Sequence, residues 1–266
     1  GCDYYCTYCT IPFARGKSRS ASVAHTMKTI DKALEQGAKE IILTGVNIGD
    51  FGRGSNERFI DLIKAIDKLT AEVRVRISSV EPNLLEDAII DIVASSKIIA
   101  PHFHIPLQSG SNRVLSLMGR RYTREVFGQK VSLIKRLIPD AFIGVDVIVG
   151  MRGETADMFD ETLAFLGDTP FSELHIFPYS EREGTKALSI KPIVSQSEKK
   201  RRSELLHNLS DSRIADFYRS QRGKTKTVLW ETTKNPKAMN GYTENYLLVS
   251  AEMEQEKINT FQKIVF

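Results

Sequence analysis

Strand-like and helix-like segments alternate along most of this chain, and its strongest strand-like segment is almost entirely apolar. That segment, residues 141–149, contains a single charged residue, Asp146. A strand this apolar is typical of parallel sheets whose two faces are both covered by helices. Shorter strands are predicted at residues 40–44, 73–78, 102–107 and 173–177. Five strands that alternate with helices predict an α/β fold with a parallel or barrel-like sheet.

Apolar residues at helical spacing predict the helices between these strands. Val23, Met27, Ile30 and Leu34 form one such series, and Gly37 follows it as a stop signal. The other helices are predicted at residues 59–69, at 83–94, from Ser111 or Asn112 onward, from Thr123 onward and at 154–166.

The composition of the chain changes after Ile190. Residues 195–221 predict a long polar helix that carries four consecutive basic residues at 199–202. Beyond Gly223 the pattern predicts short strands at 225–231, 242–249 and 258–266, with turns at Asn235-Pro236 and Asn240-Gly241. We therefore predict three parts: an α/β core at residues 1–193, a linking helix at 194–221 and a small β-rich module at 222–266.

The composition excludes a membrane protein and a chain that is mainly disordered. No stretch approaches the ~20 apolar residues that a helix needs to cross a bilayer, so no membrane partner is expected. Hydrophobic residues make up 41% of the chain, which is enough for a sizeable core. The net charge of +4 permits contact with nucleic acid without arguing for it.

All three cysteines lie within the first nine residues. An odd and crowded set of cysteines does not make a disulfide framework. It is typical of soft-metal ligation in a reducing compartment. We therefore expect a cytoplasmic protein with a metal centre close to its first residues.

The spacing of Cys2, Cys6 and Cys9 allows three thiolates to converge from one loop onto three irons of a cubane cluster. The fourth iron then lacks a protein ligand and is open to a small molecule. Structural zinc is one alternative, but it needs four ligands, and His25 is the only nearby histidine. Buried thiols without a metal are the other alternative. The clustering favours an iron–sulfur cluster over both.

This cysteine spacing, with an α/β pattern behind it, resembles the radical S-adenosylmethionine superfamily. The resemblance implies a [4Fe–4S] cluster whose open iron chelates the amino and carboxylate groups of S-adenosylmethionine. One electron then cleaves the sulfonium and yields a 5′-deoxyadenosyl radical. The resemblance also places Tyr8, just before the third cysteine, close to the adenine, with packing inside the loop as the alternative role.

Further segments resemble the methylthiotransferases of that superfamily. They are residues 9–19 (CTIPFARGKSR), 43–49 (LTGVNIG), 104–111 (HIPLQSGS), 117–123 (LMGRRYT), 146–154 (DVIVGMRGE) and 177–185 (FPYSEREGT). The tail, with residues 241–246 (GYTENY), resembles the RNA-binding TRAM module. The resemblance implies a partial (β/α) barrel of the radical SAM type, with its first strand missing, followed by an incomplete TRAM-like module. The form of segment 43–49 favours the threonylcarbamoyladenosine tRNA branch.

Several residues at predicted strand ends are candidate contacts for the cofactor. Gly45 ends a strand at its carboxyl edge, where bare backbone can approach a ligand. Asn47 could donate to the methionine carboxylate or be an ordinary turn residue. Gln108 and Ser109 could reach the ribose hydroxyls or cap the following helix, which Ser111 could do instead.

Two carboxylates are also candidates. Asp146 is alone in an apolar strand, and a buried charge is costly without a partner, so we expect an ionised or hydrogen-bonded role at the site. Glu81 resembles the position at which the family contacts another part of the cofactor. The alternative for Glu81 is a solvated glutamate in a loop.

Basic residues near the cysteines are candidate RNA contacts. Arg15, Lys17 and Arg19 form a basic run directly after the cysteine loop, which could contact phosphate or be a solvated face. Arg120 and Arg121 are similar candidates.

In the tail, four lysines are predicted to hold the RNA backbone: Lys224, Lys226, Lys234 and Lys237. Tyr242 and Tyr246 could stack on bases, but we expect them to be core residues of the small module.

The family resemblance implies a tRNA methylthiotransferase that acts on N6-threonylcarbamoyladenosine beside the anticodon. One S-adenosylmethionine methylates a sulfur, and a second yields the radical that removes hydrogen from carbon 2 of the adenine. No side chain is expected to act as a general base. The partner is the tRNA anticodon loop, because specific RNA recognition usually targets unstacked loop bases.

Full-length members of the family carry an N-terminal domain whose three further cysteines bind a second [4Fe–4S] cluster. We therefore expect this chain to be a fragment that holds one cluster and lacks full activity by itself. An electron donor such as a flavodoxin or ferredoxin is implied, and the sulfur donor stays open. The alternatives are a methylthiotransferase for isopentenyladenosine tRNA or a ribosomal protein, and a non-catalytic RNA-binding protein with a structural metal site.

Overall fold

The architecture was obtained as a computed structural model that describes residues 1–266. Its α-helices are α1 Ile11–Arg15, α2 Val23–Glu35, α3 Phe59–Ile66, α4 Asp87–Ser95, α5 Asn112–Met118, α6 Arg124–Leu137, α7 Ala156–Asp168 and α8 Gln196–Ser220. Its strands are β1 Glu40–Leu43, β2 Arg74–Ile77, β3 His102–His104, β4 Phe142–Val149, β5 Glu173–Pro178, β6 Thr225–Thr232, β7 Ala238–Thr243, β8 Leu248–Glu252 and β9 Phe261–Val265.

The first five strands are parallel and follow one another in chain order. β1 pairs with β2, and β3, β4 and β5 pair in that order. Single parallel bridges between Val75 and Ile99 and between Ser79 and His104 connect the β1–β2 pair to the β3–β4–β5 group, so the five strands lie side by side. This arrangement confirms the predicted α/β fold with a parallel, barrel-like sheet, and it brings the carboxyl ends of all five strands to one edge.

Alternation along β4 separates its two faces. Ile143, Val145 and Val147 are fully buried in the main hydrophobic core, together with apolar residues of the surrounding helices. Gly144 and Asp146 point to the opposite, concave face. The helices therefore cover one face, and the concave face is free to carry polar groups.

The tail forms a separate antiparallel sheet in the order β8, β7, β6, β9. The prediction of one strand over residues 242–249 and of a turn at Asn240-Gly241 was wrong. The turn lies at residues 244–247, where Tyr246 has a positive φ of 68° and the Thr243 hydroxyl accepts from the Leu247 amide. Gly241 lies inside β7, where a Cβ would come within 2.4 Å of the Leu229 carbonyl oxygen.

The predicted helix over residues 83–94 begins later than expected. Residues 81–86 form turns instead, with the Leu84 amide donating to the Glu81 carbonyl, and α4 starts at Asp87. The predicted strand over residues 102–107 is also shorter, since β3 ends at His104. None of the helices is long and apolar enough to cross a membrane.

The small sheet packs against the amino-terminal end of the parallel sheet. Arg74 and Arg76 of β2 are buried and both contact Glu40 of β1. Arg74 also donates to the carbonyls of Tyr242 at 2.8 Å and Thr227 at 2.7 Å. These two arginines therefore join the core to the β-module through backbone carbonyls.

Tyr246 completes this junction. Its ring lies 4.8 Å from the Arg76 guanidinium, 4.5 Å from the His102 ring and 5.4 Å from the Phe142 ring. Tyr246 and its neighbour Tyr242 are stacked on each other at 4.7 Å. This placement agrees with the expectation that the two tyrosines pack within the protein.

We predict that Arg76→Ala lowers the free energy of unfolding by about 3–5 kcal/mol, because it removes a buried guanidinium and leaves the half-buried Glu40 with Arg74 as its ionic partner. Urea denaturation measures this change. Arg219→Ala is the control, since Arg219 pairs with Asp216 on the exposed surface of α8, and it should cost less than about 1 kcal/mol. Equal losses in the two variants would contradict a buried junction.

Candidate active site

The three cysteines lie in a loop that precedes α1 and packs against the end of α5. The Thr7 amide donates to the Met118 carbonyl at 2.9 Å, and the Thr7 hydroxyl donates to the Leu117 carbonyl at 2.7 Å. Tyr5 has a positive φ of 52°, and the Cys9 amide donates to the Cys6 carbonyl at 3.0 Å. These contacts hold the loop that carries the three thiols in a compact form.

The sulfur atoms of Cys2, Cys6 and Cys9 are free and are not all within 4.8 Å of one another. Thiolates on a single tetrahedral zinc ion would stand about 3.8 Å apart, because each Zn–S bond is about 2.3 Å. The three sulfurs therefore do not match the ligand spacing of one shared zinc ion, and three soft thiolates suit an iron–sulfur cluster. The donor set therefore fits the predicted iron–sulfur cluster better than a shared zinc ion.

A buried guanidinium lies beside this loop. Arg120 has only 4% of its side chain exposed, and it forms an ion pair with Glu81. It also donates to the Cys6 sulfur and to the Tyr8 hydroxyl, each at 3.3 Å. Burial raises the pKa of the Cys6 thiol, and the Arg120 charge opposes this effect. The sequence analysis predicted phosphate contact for Arg120 and missed this role. Its partner Glu81 is 39 positions away in the chain, so no local pattern connects the two residues.

A cavity of about 240 Å³ opens beside the carboxyl end of β1. Gly45 and Asn47 line it together with Arg19. Both polar atoms of the Asn47 side chain are buried and have no hydrogen-bond partner in the protein. An added Cβ at Gly45 would lie no closer than 3.8 Å to its neighbours, so the backbone there is open to a ligand. Orphaned amide atoms beside open backbone fit a site that binds a polar molecule.

Gln108 and Ser109 follow β3, but they have different surroundings. Gln108 has a positive φ of 68°, and its backbone bonds to Asp146 and Ile148 of β4. Ser109 is fully buried, and its hydroxyl bonds to the Thr162 hydroxyl at 3.0 Å and to the Ser111 amide at 3.2 Å. The Ser109 hydroxyl therefore supports the turn before α5.

Asp146 has two histidine partners on the neighbouring strands. His104 Nε2 lies 2.7 Å and His175 Nδ1 lies 3.1 Å from its Oδ1 atom. Burial opposes ionisation of Asp146, but the hydrogen bonds from His104 and His175 outweigh it and lower its pKa to about 2. The hydrogen bond that His175 donates to the Asp146 carboxylate raises the pKa of His175. The expectation of a hydrogen-bonded carboxylate agrees with this geometry, and the histidines were missed.

The basic residues predicted for RNA contact divide into two groups. Arg15, Lys17 and Arg19 are exposed and have no ionic partner. Lys224 lies 2.5 Å and Lys226 lies 3.1 Å from the carboxylate oxygens of Asp140, at the junction between core and module. Lys226 is also buried. The structure therefore presents a free cationic run beside the cysteines but uses these two tail lysines in an internal ion pair.

The site is thus a three-cysteine loop at the carboxyl edge of a parallel sheet. A match to a protein-family model shows which class of protein has this arrangement. The model of the Radical SAM superfamily matches residues 1–166. This match covers more than half of the chain, which belongs to the radical SAM superfamily.

Relatives of known name match almost the whole chain. It is 36% identical to the threonylcarbamoyladenosine tRNA methylthiotransferase MtaB of Bacillus subtilis, over 99% of this chain and 60% of that protein. It is also 36% identical to the tRNA-2-methylthio-N(6)-dimethylallyladenosine synthase of Staphylococcus epidermidis, over 97% of this chain and 51% of that protein. The chain thus spans between about half and three-fifths of the length of these relatives.

Two solved structures share the fold. The radical S-adenosylmethionine methyltransferase TsrM of Kitasatospora setae, solved with cobalamin and a [4Fe–4S] cluster, aligns with a TM-score of 0.57 at 16% identity over 67% of this chain and 35% of its own. The cobalamin-dependent S-adenosylmethionine radical enzyme OxsB aligns with a TM-score of 0.55 at 20% identity over 78% of this chain and 30% of its own.

We predict that Asn47→Ala does not lower the free energy of unfolding of the ligand-free protein, because the Asn47 side chain has no hydrogen bond to break and its removal relieves two buried, unpaired polar atoms. Chemical denaturation of the ligand-free protein measures this. Asn245→Ala is the matched control, since the Asn245 amide bonds to Thr243, Gln221 and the Asp140 carbonyl. Asn245→Ala should lower the free energy of unfolding by about 1–3 kcal/mol. A comparable loss for Asn47→Ala would mean that its amide supports the fold.

Proposed function

We propose that the protein containing this chain is a radical S-adenosylmethionine tRNA methylthiotransferase that adds a methylthio group to carbon 2 of N6-threonylcarbamoyladenosine beside the anticodon. The observation that carries the proposal is the combination of the cysteine loop with a similarity that extends over 99% of the chain to a relative named for this activity. The similarity includes the tail as well as the core, and the tail is the part proposed to contact RNA.

Cys2, Cys6 and Cys9 are proposed to hold a [4Fe–4S] cluster, with S-adenosylmethionine as the second cofactor. When bound, these groups supply a carbon-centred radical that can remove a hydrogen atom from an unactivated carbon. Arg120 fits a supporting role, because its guanidinium donates to the Cys6 sulfur and neutralises Glu81. A thiolate that accepts such a charge-assisted hydrogen bond is stabilised as a ligand.

The remaining candidate residues have different proposed roles toward S-adenosylmethionine. Asn47 and Gly45 are proposed to bind its polar groups, because the amide of Asn47 is unpaired beside open backbone. Tyr8 lies in the loop itself and is proposed to pack against the adenine. Ser109 is proposed to act indirectly, by supporting the turn that carries Gln108. Glu81 is held by Arg120 and is proposed to position that side chain.

The tRNA is proposed to approach the carboxyl edge of the sheet. Arg15, Lys17 and Arg19 follow the cysteine loop and have no internal ionic partner, so they are available to phosphates. Lys234 and Lys237 are the exposed lysines of the tail proposed for a second contact. A cytoplasmic location and an electron donor such as a flavodoxin or ferredoxin belong to the same proposal.

Isopentenyladenosine tRNA is the second candidate substrate. One specific observation favours it, namely that a relative named tRNA-2-methylthio-N(6)-dimethylallyladenosine synthase has the same 36% identity. The two candidates share the chemistry at carbon 2 of adenine and differ in the group on N6.

The test incubates the reconstituted full-length protein with S-adenosylmethionine, a reductant and tRNAs that carry either nucleoside, followed by mass spectrometry of digested tRNA. We expect the methylthio derivative of N6-threonylcarbamoyladenosine, and none with Cys6→Ser. Thr10→Ser is the control beside the loop, because the Thr10 side chain makes no capping hydrogen bond. Product from isopentenyladenosine alone would reassign the substrate, and product with Cys6→Ser would overturn the mechanism.

We predict that replacing Arg15, Lys17 and Arg19 together by glutamine weakens tRNA binding and reduces its salt dependence. Each phosphate that is no longer neutralised reduces the slope of log affinity against log salt by about 0.7–0.9. Filter binding over a range of salt concentrations measures the slope. Glutamine at Lys64, Lys68 and Lys97, which are exposed cations away from the cysteine loop, is the matched control. Equal slopes for the two triple variants would exclude a specific role for the basic run.

A further inference from the structure

Three metal-ligating side chains converge on the concave face of the sheet, apart from the cysteine loop. They are His104 of β3, Asp146 of β4 and His175 of β5, which are neighbouring strands. One ligand atom from each lies within 4.8 Å of the other two. Because Asp146 and His175 are direct partners in the parallel register, the sheet backbone itself fixes their separation.

The separations match those between ligand atoms on one metal ion. His104 Nε2 and Asp146 Oδ1 are 2.7 Å apart, His175 Nδ1 and Asp146 Oδ1 are 3.1 Å apart, and the two nitrogens are 3.4 Å apart. With metal–ligand bonds of about 2.0–2.1 Å, adjacent ligand atoms stand about 2.9 Å apart in octahedral geometry and about 3.4 Å apart in tetrahedral geometry. The triangle fits one face of either polyhedron.

Hydrogen bonding accounts for each contact to the carboxylate, but it does not account for the approach of the two imidazole nitrogens to each other. One histidine would be enough to give Asp146 a hydrogen-bond partner. Here two imidazoles direct nitrogens at the same oxygen, and those nitrogens also approach each other. A bound cation makes such convergence of two nitrogens and a carboxylate oxygen favourable.

The cluster is also accessible and has room. The side chains of His104, Asp146 and His175 are 25%, 18% and 39% exposed, so the cluster is reachable from the concave side. Gly144 lies between the two rings, where an added Cβ would come 3.5 Å from His175 Cε1 and 4.0 Å from His104 Cδ2. The position above Gly144, which carries no side chain, therefore borders both imidazole rings.

We propose that His104, Asp146 and His175 form a second metal site, which binds one divalent first-row transition-metal ion and keeps open coordination positions toward the concave interior. Two imidazoles and one carboxylate suit ions such as Zn²⁺, Fe²⁺ and Co²⁺, whereas the thiolates near Cys6 suit an iron–sulfur cluster. The site is independent of the proposed function, since it requires neither the cluster nor a tRNA.

Equilibrium dialysis against Co²⁺ with metal analysis tests the site, using the cluster-loaded full-length protein and a variant with serine at Cys2, Cys6 and Cys9. We expect one Co²⁺ per chain in both proteins, with imidazole nitrogens detected around the ion by pulsed EPR. Removal of a residue that only hydrogen-bonds to a metal ligand costs about 10–100-fold in metal affinity, so removal of a ligand itself in Asp146→Asn or His104→Gln should cost at least about 100-fold.

His207→Ala is the control for nonspecific binding, because His207 is an exposed histidine on α8. Its affinity for Co²⁺ should equal that of the unchanged protein. Undiminished binding in Asp146→Asn, no Co²⁺ in the cluster-loaded protein, or EPR without imidazole nitrogen would each overturn the proposal. If the serine variant does not fold, the cluster-loaded protein alone decides. Methylthiotransferase activity is not measured in this test. Failure of the metal-site proposal therefore leaves the proposed function unaffected.

Discussion

The parallel pairing of β1 to β5 is the interaction on which the rest of this structure depends. In-register pairs such as Leu43 with Ile77 and Asp146 with His175 bring strand ends that are far apart in the chain to one edge. The cysteine loop, Asn47, Glu81 and the turn around Gln108 all occupy that edge or the loops next to it. Because the helices cover the opposite face with apolar side chains, the concave face can carry polar groups without disturbing the core.

Buried ion pairs then join segments that the sheet alone does not connect. At the carboxyl edge, Arg120 links α5 and its following turn to Glu81 and to the cysteine loop. At the amino end, Glu40 and the two arginines of β2 link the core to the β-module. Each of these charges is too costly to bury alone. Each ion pair therefore fixes the position of one segment relative to another. A purely apolar contact fixes relative positions less strictly, because it is not directional.

Local pattern predicts the elements of this protein well and their long-range partners poorly. The apolar run of β4, the cysteine spacing and the stop signal after α2 lie within short windows, so the strands and the loop could be found from the sequence. Asn240-Gly241 resembles a turn locally, but pairing with β6 makes it part of a strand. The need of Asp146 for a partner followed from burial, whereas its two histidines required the register of β3 and β5. Similarly, nothing local to Lys224 reveals that Asp140 neutralises it.

The position of the β-module at the amino end of the sheet sets a length scale. β4 has eight residues, so seven steps of about 3.3 Å separate its two ends by about 23 Å. The cysteine loop lies at one end and Tyr246 at the other, and the arginine junction holds them in a fixed relation. A nucleic acid that touches both the module and the carboxyl edge must therefore bridge a distance of this order. The length of the sheet thus sets the separation between the two contacts, and an oligonucleotide shorter than this distance cannot reach both.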